Sequence, residues 1–147
     1  MSFSRRLFIF LVIAVPLGLT IMLGFDIMAR VRVNGEGLGL ALHHALRDSN
    51  WRGITFLLAP FVGLGFISAA ASKHSLRYGY FLLLCSVIVL TPLYWSGYVN
   101  SQRFLRSSSW TASALAIGLV PFKSLILIPV GLLIGRFLHK FTASDKR

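Results

Sequence analysis

The chain has 147 residues, of which 56% are hydrophobic and only 13% charged, and its formal net charge is +11. Together with a mean hydropathy of +0.76, this composition is too apolar for a single soluble core and predicts an integral membrane protein. The basic residues are spread between apolar stretches rather than gathered in one segment. This spread argues against nucleic acid as a partner and favours anionic membrane lipids.

Four apolar stretches follow one another along the chain, separated by short segments that carry the charges. Each stretch is long enough to cross about 30 Å of hydrocarbon as an α-helix. We expect membrane spans at about 7–25, 53–72, 80–98 and 120–138. The sequence therefore predicts a single all-α membrane domain over residues 1–147, arranged as an up-down bundle of four transmembrane helices.

The connection after the first span begins with a turn signal, Asn34-Gly35, and continues with an amphipathic pattern. We expect a short amphipathic helix in this first extracytoplasmic loop, with apolar positions at Leu38, Ala41, Leu42 and Ala45. Two polar pairs lie four residues apart and could interact, His43 with Arg47 and His44 with Asp48. The helix is either a lid or partner-binding element, or a connector that rests on lipid.

The fourth stretch, residues 107–135, contains one charge and is longer than a bilayer core requires, since its helix would measure about 43 Å. We interpret 110–119 as an extension of the span or an interfacial segment before it. The alternative is one long, tilted and broken helix. The single charge is Lys123, which either extends its ammonium group towards the headgroups or marks a site for a phosphate or carboxylate.

Basic residues at the expected membrane surface are the candidate contacts for an anion or a lipid headgroup. They are Lys123, Arg103, Arg106, Arg47 and Arg52. Small residues spaced by four occur at Ala14 and Gly18, Ala59 and Gly63, Gly65 and Ala69, and Gly131 and Gly135. We expect these pairs to pack the bundle, with a dimer contact as the alternative. The five prolines, all in or beside the spans, either line a cavity or reflect the usual frequency of proline in membrane helices.

Basic residues also predict the orientation, because they accumulate on the cytoplasmic side. With Arg5 and Arg6 inside, four spans place eight basic residues in the cytoplasm and six outside. We therefore expect both termini in the cytoplasm, in a bacterial inner membrane. The near balance leaves a protein of mixed orientation as the alternative.

The residues that carry chemistry do not combine into a catalytic set. The four acids, Asp26, Glu36, Asp48 and Asp145, all lie outside the predicted spans, which disfavours a proton-coupled transporter that uses an intramembrane carboxylate. Cys85 is the single cysteine, and His43, His44, His74 and His139 lack the spacing of metal ligands. We expect no metal and no cofactor, and the pattern disfavours enzymatic activity without excluding it.

Three classes of function remain. The first is a non-enzymatic inner-membrane protein that binds other membrane proteins, as an accessory, assembly or immunity-type factor. The second is an oligomeric transporter or flippase for an anionic solute or lipid that uses Lys123. The third is an enzyme acting on a lipid phosphate bound by the outer arginines, although it lacks an identifiable nucleophile or base.

Overall fold

The computed structural model describes residues 2–73 and 75–144, and these residues form helices and short connections without any strand. In chain order the helices are α1 (Phe3–Asn34), α2 (Leu38–Arg47), α3 (Trp51–Ala71), α4 (Leu76–Arg106), α5 (Trp110–Gly118) and α6 (Val120–Ser144). The prediction of an all-α protein is confirmed.

Four segments are long and apolar enough to cross a membrane: α1, α3, α4, and α5 joined to α6 over Trp110–Thr142. This confirms that the chain carries four candidate transmembrane helices. With 32 and 31 residues, α1 and α4 measure about 48 and 46 Å. Each is therefore long enough to extend beyond a hydrocarbon core of about 30 Å.

The helix ends form where the sequence supplies capping groups. The Ser2 hydroxyl accepts a hydrogen bond from the Arg5 N–H at the start of α1, and the Asn50 side chain accepts one from the Arg52 N–H at the start of α3. At the end of α1, Gly35 has φ 71° and its N–H donates to the Val31 carbonyl at 3.1 Å. This left-handed conformation costs glycine little, which explains the predicted turn at this position.

The closest helix contact joins α4 to α6 through glycines. A Cβ at Gly131 would lie 2.5 Å from the Ser86 Cα, and one at Gly135 would lie 3.0 Å from the Leu82 Cα. Because the backbones meet without an intervening side chain, neither glycine can be enlarged unless the helices move apart. As the residue number falls along α4 from Ser86 to Leu82, the contacting residue number rises along α6 from Gly131 to Gly135. The two helices therefore run in opposite directions.

Glycines also bring α1 against its two neighbours. Gly18 of α1 packs against the Phe61 ring of α3, and Gly65 of α3 packs against Leu11 of α1. Gly79 of α4 lies under the Phe10 ring and beside the Ser68 carbonyl of α3. Three of the four predicted small-residue pairs, all except Ala59 and Gly63, thus pack within the chain.

Aromatic and aliphatic side chains fill the centre of the bundle. The largest fully buried side chains include Phe10, Phe61, Leu83, Leu90 and Tyr94. The Tyr94 hydroxyl donates to the Leu57 carbonyl on the turn of α3 that precedes the Pro60 ring. Proline disturbs backbone bonding in the turn before it, so this side chain helps satisfy a polar backbone group at membrane depth.

The fourth candidate span is nearly continuous. Leu119, which separates α5 from α6, keeps helical angles of φ −82° and ψ −10°. The Lys123 N–H donates to the Leu119 carbonyl at 3.0 Å, and the Ser101 and Ser113 hydroxyls, on α4 and α5, hydrogen-bond at 2.8 Å. Residues 110–119 therefore extend the span along α4, as an interrupted long helix. Pro121 accounts for the interruption, because it has no N–H to continue the ladder.

The glycine contact generates a stability prediction. Gly131→Ala should lower the free energy of unfolding by about 1–3 kcal/mol, because the new methyl group overlaps the Ser86 backbone. Gly24→Ala is the matched control, because a methyl group added there, in α1, would point into open space. It should be neutral or stabilising by up to about 1 kcal/mol. Reversible unfolding in mixed detergent micelles measures the free energy of unfolding of both variants. Equal values for the two variants would contradict the packing described.

Candidate functional site

Polar side chains gather where the C-terminal ends of α1 and α4 meet α2. Seven residues linked by hydrogen bonds or ion pairs form this polar cap: Asp26, Arg30, Asn34, Glu36, His44, Asp48 and Gln102. They come from three helices and the connections that flank α2. The polar cap therefore fixes the relative positions of α1, α2 and α4 at this end of the molecule.

Arg30 is the central cation of the polar cap. Its Nε lies 3.2 Å from the Asp26 carboxylate and its Nη1 lies 3.4 Å from the Asp48 carboxylate. The side chains of Arg30 and Asp26 are only 13% and 18% exposed, so each charge needs the other. The Gln102 amide also donates to Asp26, at 3.3 Å. One guanidinium thus joins α1 to the end of α2, and one carboxylate joins α1 to α4.

Glu36 anchors the opposite side of the polar cap. It accepts a hydrogen bond from the Asn34 amide at 3.0 Å and lies 3.2 Å from the His44 ring nitrogen. His44 does not form the pair with Asp48 that helical spacing allows, because the turn at Gly35 brings Glu36 back over α2 while Asp48 faces Arg30.

Arg47 also departs from the helical spacing pattern. It pairs with the neighbouring Asp48 at 3.3 Å rather than with His43. Glu36, before α2, and Asp48, at its end, thus replace the partners that helical spacing within α2 would give to His44 and Arg47.

The α2 helix packs through its small residues. Ala41 and Ala45 are buried, whereas Leu38, Leu42 and Leu46 are exposed on the adjoining part of the apolar face. The predicted amphipathic helix is present, but it turns its leucines outward. Its role as a lid or as a connector stays a prediction.

A cavity of about 450 Å³ lies beside the end of α2. It is lined mainly by apolar side chains, with Leu46 of α2, Trp51 of α3 and Tyr98 of α4 among them. Asp26 is the charged residue of this lining, and its carboxylate is already bonded within the polar cap. Because Leu46 forms part of the wall, the position of α2 determines how open the cavity is.

Both acids next to α2 are held in their charged form. Hydrogen bonding from Asn34 lowers the pKa of Glu36, with further help from His44 and against the effect of burial. Burial raises the pKa of Asp48, but hydrogen bonding from Arg47 and the charge of Arg30 outweigh it, so that this pKa is also lowered. A carboxylate whose pKa is lowered in the fold stabilises that fold at pH values above the ordinary carboxyl pKa. This stabilisation is lost as the pH falls through the lowered pKa.

The structure separates most of the predicted anion contacts. Arg47 is engaged with Asp48, and the Arg52 side chain is exposed at the start of α3. Lys123 is exposed on α6 and makes no ion pair or side-chain hydrogen bond with any described residue. Since Gly97 touches Val120, Lys123 lies about 13 Å along the bundle from Arg103. These cations do not form a common site.

Arg103 and Arg106 line a common pocket with a third arginine. With Arg32, Val33 and Val99 they line a surface pocket of about 300 Å³, the arginine pocket. Arg106 is fixed there, because its Nη1 donates to the Val33 carbonyl at 2.9 Å. Arg32 was not among the predicted site residues. Its basic side chain just after the first predicted span could have indicated a headgroup contact. Its position beside the two arginines of α4 depends on the fold.

An apolar groove continues from the arginine pocket. This α1–α4 groove, of about 500 Å³, is lined by Phe25, Met28, Val31, Arg32, Leu38 and Trp95, among others. The Arg32 guanidinium lies 5.9 Å from the centre of the Trp95 ring, within the range of a cation–π contact. Arg32 therefore belongs to both the charged pocket and the apolar groove.

A second apolar groove, of about 440 Å³, lies between α3 and α6. Its wall includes Phe56, Ala59, Gly63, Phe122, Leu125 and Pro129. Gly63, near the middle of α3, has open space where a side chain would stand. The α3–α6 groove is thus an apolar recess near the centre of the candidate span.

The other chemical candidates give no site among the described residues. No cluster of three or more histidine, cysteine or acidic residues is close enough to hold a metal ion in 2–73 and 75–144. Cys85 is buried. His74 and Asp145 lie outside the residues that the structure describes.

The carboxylates of the polar cap generate a pH prediction. In a Cys85→Ala protein, spin labels at Leu42→Cys and Asn100→Cys report the distance from α2 to α4. We expect a narrow distance distribution at neutral pH that broadens below about pH 4, as Glu36 and Asp48 gain protons. Glu36→Gln with Asp48→Asn should broaden it already at neutral pH. A distribution that stays narrow at neutral pH in the protein with Glu36→Gln and Asp48→Asn would contradict the role assigned to these acids.

Comparisons with known proteins give no family. No protein-family model, curated protein or solved structure matches this chain.

Proposed function

We propose that the protein is a small non-enzymatic membrane protein that binds other membrane proteins, as an accessory subunit, an assembly factor or an immunity-type inhibitor. The observation that carries this proposal is the α3–α6 groove. It offers a recess to a neighbouring helix at mid-span, where a membrane protein can recognise another only through lateral contacts.

The small-residue pairs support this choice of surface. Ala14 with Gly18, Gly65 with Ala69, and Gly131 with Gly135 are buried against neighbouring helices of the same chain. Ala59 and Gly63 instead line the α3–α6 groove. Small residues allow helix backbones to approach closely, so this remaining pair suits a helix from outside the chain.

The polar groups support a binding role rather than a catalytic one. Asp26, Glu36 and Asp48 are each bonded within the polar cap and hold helices together. Ser124, next to Lys123, donates to the Val120 carbonyl of its own helix. These groups stabilise the fold in the positions they occupy, and none of them is paired as a nucleophile with a base.

The proposed setting is an up-down bundle in a bacterial inner membrane, with both termini in the cytoplasm and α2 on the outer side. The contacts of α1 with α3 and of α4 with α6 run in opposite directions, which supports the up-down order. The distribution of basic residues supports the orientation. On this disposition the polar cap and the arginine pocket lie at the outer surface.

The transporter alternative has less support. Lys123 is exposed on α6, while the interior beside it is filled by Tyr94, Val120 and Ser124. A cation on the outside of a filled bundle is better placed to reach headgroups than to line a path through one chain. The transporter alternative therefore requires a path between several copies of the chain.

Filling the α3–α6 groove tests the proposed function. Gly63→Leu adds a side chain in open space, and Gly24→Leu makes the same change in open space on α1, away from this groove. We expect a stoichiometric protein partner to copurify from native membranes in mild detergent. Gly63→Leu should reduce its recovery at least about tenfold, a loss of about 1.4 kcal/mol, whereas Gly24→Leu should retain it.

Two results would contradict this proposal. Equal recovery of the partner with both variants would remove the α3–α6 groove from the interface. Purification as a homo-oligomer that carries one solute or lipid would support the transporter alternative instead.

A further inference from the structure

We propose that the arginine pocket and the α1–α4 groove together form a binding site for one anionic phospholipid, with the phosphodiester at the arginines and an acyl chain in the groove. This inference does not depend on the proposed partner binding, because it uses a different surface. It also does not depend on which side of the membrane the site faces.

The charge of the pocket favours an anion. Arg32, Arg103 and Arg106 line a space of about 300 Å³. The three described carboxylates, Asp26, Glu36 and Asp48, are engaged in the polar cap. No described acid therefore pairs with the arginines of the pocket. Guanidinium groups bind phosphate oxygens through paired N–H donors, which makes three of them in one pocket a suitable phosphate contact.

Part of this pocket is fixed before a ligand binds. Arg106 donates from one nitrogen to the Val33 carbonyl, which places its guanidinium across the gap between α4 and α1. Arg32 is held beside the Trp95 ring. Arg103 makes no side-chain hydrogen bond with a described residue and is exposed. Two guanidinium groups with a partner in the fold, and one without a partner among the described residues, thus surround the pocket.

The adjoining groove identifies the anion as a lipid rather than a soluble phosphate. The α1–α4 groove is about 500 Å³ in volume, and its walls are apolar apart from Arg32. Phe25 and Trp95 meet edge to face at 5.5 Å along it. From Trp95 to Arg103 the helix rises about 12 Å, the direction a lipid takes from its acyl chain to its headgroup. A soluble anion would contact the arginines but not this apolar surface.

Fluorescence of Trp95 tests the site directly. Trp51→Phe and Trp110→Phe replace two exposed tryptophans, leaving Trp95 as the single reporter. The protein is placed in phosphatidylcholine vesicles that contain a small fraction of phosphatidylglycerol with brominated acyl chains. We expect quenching at about a tenfold lower mole fraction than with brominated phosphatidylcholine.

Charge-removing variants separate this site from general attraction of lipid to basic residues. Arg32→Gln and Arg103→Gln should each reduce the preference about fivefold, and together they should abolish it. These two residues are chosen because their side chains make no hydrogen bond with described residues, so the fold should survive. Arg52→Gln with Lys123→Gln removes the same charge from two exposed basic residues elsewhere and should leave the preference unchanged.

Three outcomes would overturn the inference. Equal quenching by the two brominated lipids would exclude a selective site. An equal loss of preference in the control variant would assign the effect to general surface charge. Displacement of phosphatidylglycerol by excess inorganic phosphate, with recovery of fluorescence, would assign the pocket to a soluble anion.

Discussion

The backbone contact between α4 and α6 is the constraint on which the rest of the structure depends. Gly131 and Gly135 let α6 lie directly on the turns of α4 that contain Ser86 and Leu82. Lipid provides no hydrophobic drive for helices to associate, so close packing of this kind has to hold them together. Because the helices meet at such short range, no side chain separates α6 from α4 at Ser86 and Leu82.

The charged side chains of the described residues lie at the ends and on the outer faces of the helices. The long α1 and α4 helices project polar residues beyond the apolar core, and α2 folds back on them. Within this region the described acids neutralise Arg30 and bind His44 and Arg47. The surplus of basic residues then leaves a group of arginines facing outward, next to an apolar groove. A charge excess that is diffuse in the sequence thus becomes a local group of arginines in the fold.

The sequence predicted the features that depend on neighbouring residues along the chain. Apolar length predicted the four candidate spans, and Asn34-Gly35 predicted the turn that ends α1. Contacts between distant residues were not predictable, because they depend on which helices pack and in what register. Arg32 and Arg103 come together because the Phe10–Gly79 contact aligns α1 with α4. The pairing of His44 with Glu36 likewise required the three-dimensional path of the turn, and helical spacing alone pointed to Asp48.

Close packing around α4 predicts that its buried face is closed to water, and cysteine accessibility in liposomes tests this most directly. In a Cys85→Ala protein, single cysteines at the buried positions Leu83, Ser86 and Leu90 should not react with a membrane-impermeant maleimide applied from both sides. Cysteines at the exposed positions Arg77 and Ser107, at the two ends of α4, should react. A reactive stripe along the middle of α4 would reveal a water-filled path and contradict a closed interior.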